Sequence, residues 1–286
     1  MQLVPFQKGI SRAARSTAKK LLPGPAAWWT QRGLKRQYLE TPRHATMQYD
    51  AISVLQCCIA YNEYGGYCVP LASRYRPCAQ QILAGCVWER ETLEFMMARG
   101  GDVIHAGTYF GDFLPALSNS RAAGAGVWAF EPNPENYQCA RITTQINRLT
   151  NVNLFHAGLG AARGASMMRT TDERGQPLGG LSQIISNRTI GCARTESVEM
   201  TRIDDVFPAH RNVEIIQLDV EGMEQEALEG AMRTIGRCLP VLILETVPGD
   251  DWVRANLLPL GYRVERTVLD NTVFATRRIP TANQGL

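Results

Sequence analysis

The chain has 286 residues, 45% of them apolar and 20% charged, the composition of a globular protein able to bury a core of ordinary size. This excludes a fibrous, collagen-like or mostly disordered polypeptide. The formal net charge of +3 is unevenly placed. Residues 1–39 carry eight basic side chains (Lys8, Arg12, Arg15, Lys19, Lys20, Arg32, Lys35, Arg36) and no acid, which leaves 22 basic against 27 acidic side chains in the rest. A body with that excess of acid is a poor electrostatic match for nucleic acid.

The basic arm comes first. No apolar run of signal-peptide length interrupts it and no stretch approaches a transmembrane span, so cytoplasmic residence is expected. Breaks at Pro23-Gly24-Pro25 and Thr41-Pro42 predict two short helices with a hinge. Leu21, Leu22, Trp28 and Trp29 among the basic residues suit either peripheral contact with a membrane or packing in a homo-oligomer. Next come an apolar-rich helix over 50–63, a turn at Tyr64-Gly65-Gly66-Tyr67 and a polar loop from Ser73 to Pro77. A helix from Trp88 to Arg99 closes on Gly100-Gly101. Residues 1–98 thus read as an N-terminal helical, substrate-side extension, and 99–286 as the main domain. The eight cysteines include no C-x-x-C pair and are accompanied by four histidines, so free thiols are expected instead of a zinc site.

After residue 100 the rhythm changes. Short apolar runs at 103–104, 127–130, 152–155, 215–218 and 241–244 alternate with helical patterns, the mark of a parallel sheet covered on both faces. Tyr262–Arg266 and Thr272–Ala275, separated by Asp270-Asn271, predict an antiparallel hairpin at the sheet edge. The expected fold is a doubly wound α/β sheet. Residues 164–201, rich in Gly, Ser, Thr and Arg, form an insertion too long for a simple connection.

The chemistry-bearing residues sit at the ends of these runs. Gly107 and Gly111, within His105-Ala106-Gly107-Thr108-Tyr109-Phe110-Gly111-Asp112, let the backbone approach a ligand between a strand and a helix. Glycines in that place also serve as plain turn formers. Glu131, in Glu131-Pro132-Asn133-Pro134, stands where a carboxylate accepts hydrogen bonds from ribose hydroxyls; alone, it reads equally as a helix cap. Together they point to a nucleoside-containing cofactor. The G-x-x-x-G spacing lacks a third glycine, and Tyr109 and Phe110 crowd the turn, which argues against a dinucleotide pyrophosphate. Asp219, Glu221 and Glu224 then place three carboxylates within six residues at the sheet's carboxyl edge.

With these motifs the chain resembles the FkbM family of S-adenosylmethionine-dependent methyltransferases from about residue 102 to 276. The resemblance rests on His105–Gly111, Glu131-Pro132-Asn133, Ile203-Asp204-Asp205, Asp219-Val220-Glu221-Gly222-Met223-Glu224 and Leu244-Glu245. It implies a class I, Rossmann-like methyltransferase fold with a mostly parallel seven-stranded sheet. It also implies S-adenosylmethionine as cofactor, held by His105, Gly107, Thr108, Tyr109, Gly111, Asp112, Glu131, Pro132, Asn133, Gly158, Leu159 and Asp219. The implied reaction is methyl transfer to a hydroxyl of a sugar, glycolipid or natural product.

Two positions depart from the family pattern: His105 stands in place of an acid, and Gln217 in place of Lys. His105 reads either as a cofactor neighbour or as a buried, satisfied histidine. A sugar hydroxyl needs a base to take its proton, or a divalent metal to acidify it. Asp219, Glu221 and Glu245 are the candidates for either role, with Glu224 beside them, in preference to His156 and His210. The loops 64–77 and 164–201 are expected to meet the acceptor. The competing readings are a non-catalytic cofactor-binding scaffold docked through the basic arm and a nicotinamide-dependent oxidoreductase.

Overall fold

The computed structural model describes residues 55–185 and 193–277. The basic arm, its two expected helices and residues 186–192 of the insertion lie outside the described residues. None of the described helices is long and apolar enough to cross a membrane.

The first described elements are β1 (Cys57–Asn62) and β2 (Gly65–Pro70), an antiparallel hairpin. This corrects the helix expected over 50–63. The hairpin lies on a neighbouring helix, α4 (Pro134–Ile146): Thr143 Oγ1 accepts from Cys68 N at 3.0 Å, and Asn147 Oδ1 accepts from Gly66 N at 2.9 Å. With α1 (Pro77–Leu83) it buries Tyr67, Cys68 and Val69 against Phe110. Helix α2 spans Arg90–Met97, close to the expected 88–99.

Seven strands form the main sheet. In chain order they are β3 (Asp102–Ala106), β4 (Val127–Phe130), β5 (Val152–Phe155), β10 (Val213–Leu218), β11 (Val241–Leu244), β12 (Arg263–Val268) and β13 (Asn271–Ala275). Their spatial order is β12-β13-β11-β10-β3-β4-β5. β13 is antiparallel to both its neighbours, and the other contacts are parallel. The strand order therefore reverses between β3 and β10, where open α/β sheets keep their ligand crevice.

Both faces of the sheet are apolar, which accounts for the unbroken hydrophobic runs. Ile104, Trp128, Ile216 and Leu242 point to one side. There they meet α6 (Glu224–Glu229) and α7 (Met232–Cys238) through Ala227, Leu228 and Ile235. Val103, Val127, Ile215 and Ile243 point to the other, against α2 and α3 (Leu114–Asn119) through Leu93, Met96 and Leu117. Helix α4 begins at a side-chain cap: Asn133 Oδ1 accepts from the backbone N–H of Glu135 and Asn136, with Pro134 opening the helix. Asp204 in α5 (Ile203–Val206) takes the backbone N–H groups of Arg233 and Thr234 at 3.0 and 2.8 Å. That part of the Ile-Asp-Asp segment braces α7 and stands apart from the chemistry.

The insertion supplies the last three of four further strands. β6 (Gly158–Leu159), β7 (Gly164–Arg169), β8 (Gln183–Ile185) and β9 (Thr195–Thr201) make a second sheet in the order β6-β9-β7-β8. Helix α8 (Asp250–Asn256) leads into the terminal hairpin. The seven described cysteines are free thiols.

Candidate active site

A cavity of about 230 Å³ opens at the carboxyl ends of β3 and β10, beside a smaller one of about 40 Å³. His105, Gly107, Tyr109, Asp112, Glu131, Asp219, Glu221 and Glu245 all line the larger. Pro132, Gly158 and Leu159 line the smaller, which Gly107, Glu131, Asp219 and Glu221 also border. Residues 140 positions apart are thus brought to one place by the reversal in strand order.

The glycine turn is tight for identifiable reasons. Gly107 has φ +85°, and a Cβ there would lie 1.9 Å from the carbonyl oxygen of Asp219. The close approach of the β3 and β10 ends therefore depends on the missing side chain. Gly111 plays a different part: a Cβ would press on Leu114 and Thr143, so this glycine serves the packing of the turn on α4. Thr108 is fully buried, and its hydroxyl donates to the carbonyl of His105 at 3.2 Å. Asn133 caps α4 and donates from Nδ2 to Ser182 Oγ at 3.0 Å. Thr108, Gly111 and Asn133 line neither cavity and act through the backbone they hold.

Glu131 is 4% exposed. Its two carboxylate oxygens accept from Tyr109 N and Asn133 N, each at 2.8 Å. Those donors fix its direction at the junction of the two cavities. Burial nonetheless pushes its carboxyl up to about 8, and that of Asp112, beside Cys78, to about 7. Asp219 is raised well above the usual carboxylate range, first by burial and then by its hydrogen bond with Glu245. Burial also raises Glu221. Asp219, Glu221 and Glu245 each offer an oxygen within 4.8 Å of the other two. Glu224 stays out of the cavity; its Oε1 accepts from Val220 N at 3.2 Å.

His105 and Gln217 are register partners on β3 and β10, so the two departures from the family pattern face each other. His105 Nδ1 hydrogen-bonds the Gln217 side-chain oxygen. The ring stacks on Phe113, and Nε2 has no partner. Burial pushes this imidazole down to about 4. It is a neutral ring, with a proton on Nδ1 and a lone pair on Nε2.

Sequence reasoning missed Glu89, which lines the same cavity. The sequence pattern puts it inside a helix from Trp88 to Arg99, but the helix starts at Arg90 and Glu89 takes a left-handed conformation with φ +38°. Asn271 Nδ2 donates to it at 3.1 Å. Tyr109 (φ +51°) and Glu221 (φ +54°) share this unusual backbone at the cavity, as do Arg148, Leu239 and Leu269 away from it. Sequence periodicity carries no signal for it. The loops expected to meet the acceptor do converge here: Arg76 donates to the carbonyl of Pro177 at 2.9 Å, and Tyr109 Oη to Ser73 Oγ at 2.7 Å. Leu178, Gly180 and Leu181 complete that wall.

The raised carboxyls have a consequence for stability. The folded chain keeps protons that the unfolded chain has released, on Glu131 between about pH 4.5 and 8 and on Asp112 between about pH 3.8 and 7. Stability from these groups is therefore full at low pH and falls as pH rises through their folded values. His105 works the other way, losing stability as pH drops from its ordinary 6.5 toward 4. Glu131→Gln should flatten the decline between about pH 6 and 8, read as urea midpoints against pH. An unchanged slope would show that Glu131 is ionised throughout.

The Methyltransferase FkbM domain family matches residues 105–264, more than half of the 286-residue chain. No curated protein matches the chain. Among solved structures, it is similar to Methyltransferase FkbM from Methylobacillus flagellatus KT, at 19% identity and a TM-score of 0.42, covering 62% of this chain and 43% of that one. The chain thus spans less than half the length of that relative. A SAM dependent methyltransferase from Aquifex aeolicus is similar at 16% identity and a TM-score of 0.37, covering 71% and 95% of the two chains. M. jannaschii TYW2, solved in complex with AdoMet, is similar at 13% identity and a TM-score of 0.41, covering 78% and 87%.

Proposed function

Because the chain belongs to the FkbM methyltransferase family, we propose that it moves a methyl group from S-adenosylmethionine to a hydroxyl of a sugar, glycolipid or natural product. One observation carries this reading: Glu131 and five further carboxyl groups, those of Glu89, Asp112, Asp219, Glu221 and Glu245, line one cavity at the sheet's switch point.

The residues present fit such a cofactor. Glu131 would accept from the ribose hydroxyls, and Pro132, Gly158 and Leu159 would border the base in the smaller cavity. Gly107 keeps the strand ends close enough to support it. When bound, S-adenosylmethionine supplies a methyl carbon to the acceptor oxygen, and the carbon–sulfur electron pair leaves with sulfur.

The chain's own residues must make the hydroxyl nucleophilic. A sugar hydroxyl holds its proton at neutral pH, so a carboxylate among Asp219, Glu221 and Glu245 has to accept it as the new bond forms. Burial and mutual repulsion raise Asp219 and Glu221 toward the proton affinity such a base needs. Their attachment to the ends of buried strands holds them in line, and alignment is the larger part of such a displacement.

The test is transfer of isotope-labelled methyl from S-adenosylmethionine to hydroxyl-rich glycans and glycolipids, with amine and carboxylate acceptors as comparison. Label held in a base-stable ether supports the reading. Label only on nitrogen or in a base-labile ester would exclude the hydroxyl acceptor.

A further inference from the structure

The carboxylate cluster is arranged in tiers. His105, Gln217 and Ile243 share one level across β3, β10 and β11. Two residues further along, about 6.6 Å at strand rise, Gly107, Asp219 and Glu245 form the next, with Glu221 reaching in from the turn. The upper tier holds three carboxyl groups, and none of the ion pairs among the described residues involves Asp219, Glu221 or Glu245. Arg76, on the cavity wall, donates from Nε and Nη2 to the Pro177 carbonyl.

Three oxygens within 4.8 Å of one another fit one small cation. Oxygen ligands at about 2.0–2.6 Å from an ion lie about 3 Å apart when adjacent and about 4–5 Å when opposite. A second, independent feature points to a ligand in the same place. His105 is 3% exposed and lines this cavity, yet its Nε2 has no partner. Its Nδ1 is held by Gln217, the arrangement by which an amide oxygen orients an imidazole toward a metal site. A lone pair buried without a donor is costly; a water held by a cation would supply the donor.

We propose that Asp219, Glu221 and Glu245 bind one hard divalent cation, Mg²⁺ or Mn²⁺, and that His105 Nε2 accepts a hydrogen bond from a water on that ion. The inference rests on the reading of the cavity as a methyl-transfer site, where such an ion would acidify the acceptor hydroxyl.

Mn²⁺ is the probe. The full chain, stripped with EDTA, is titrated with MnCl₂ while free Mn²⁺ is read by electron paramagnetic resonance. One saturable site is expected, weakened at least tenfold in Glu221→Gln and Glu245→Gln and displaced by Mg²⁺. In crystals soaked with MnCl₂ an anomalous peak should lie between the three carboxylates, which decides the matter even if a variant fails to fold. No saturable binding at millimolar Mn²⁺, an affinity in both variants unchanged from that of the unaltered chain, or a peak elsewhere would overturn the proposal. S-adenosylhomocysteine titrated into the same stripped protein separates the two ideas. Its binding without Mn²⁺ binding removes only the cation site, and the reverse removes the methyl-donor reading.

Discussion

Glu221→Gln and Glu245→Gln are each expected to lower turnover about 10²-fold or more while leaving S-adenosylhomocysteine affinity near that of the unaltered chain. Both side chains belong to the cluster whose oxygens lie within 4.8 Å of one another, and Asp219, the third member, also borders the smaller cavity. Glutamine keeps size and shape but removes the charge. Whether a carboxylate takes the hydroxyl proton itself or holds a cation that acidifies it, the charge is needed most in the transition state, so the loss falls on turnover. His156, exposed and stacked on Tyr137, has no place in this chemistry, and His156→Asn should turn over normally. Steady-state rates and calorimetry on the same preparations make the comparison. Normal turnover in both glutamine variants with an inactive His105→Asn or His156→Asn would transfer the role to an imidazole.

The second large effect is structural. Gly107→Ala should destabilise the fold by more than about 4 kcal/mol, since it adds backbone strain to a steric overlap in the sheet. The new Cβ would stand 1.9 Å from the Asp219 carbonyl oxygen and 2.9 Å from its carbon. Those are backbone atoms at the end of β10, anchored by the bond from Asp219 N to the Ala106 carbonyl at 3.1 Å. Relief requires β3 and β10 to part where the cavity begins. Gly124→Ala is the control: its φ of +82° is similar, but nothing lies within 4 Å of the added atom. That variant should lose only about 1–2 kcal/mol, the cost of a left-handed alanine. Urea unfolding of both variants measures the difference, and equal losses would show that the strands yield freely at Gly107.

Much of this architecture was legible beforehand for a physical reason. Strands buried on both faces need continuous apolar runs, and those at 127–130, 152–155, 215–218 and 241–244 became β4, β5, β10 and β11. Glu131, Asp219 and Glu221 stood out because they follow such runs directly. Cys57-Cys58-Ile59-Ala60-Tyr61 misled because a short apolar run without alternation reads equally as helix or strand; its pairing with β2 is decided by α4 beneath it. The inserted sheet was hidden by polar strands such as Thr195–Thr201, most of whose side chains are not buried. Glu89 carried no periodic signal, because its position depends on a left-handed turn at the start of α2. His105 and Gln217 were each visible as unusual residues, but their pairing depends on strand register, which neither residue reveals alone.

Binding of the methyl donor in this cavity by its ribose and adenine ends is tested most directly by calorimetry. S-adenosylhomocysteine titrated into the full chain should bind in the micromolar range and raise the melting temperature by mass action. Glu131→Ala should weaken that binding by about 1–3 kcal/mol, the cost of leaving ribose hydroxyls without their acceptor. NAD should neither bind nor stabilise. NAD binding without S-adenosylhomocysteine binding would contradict the account, and an unaltered affinity in Glu131→Ala would move the ribose away from this carboxylate.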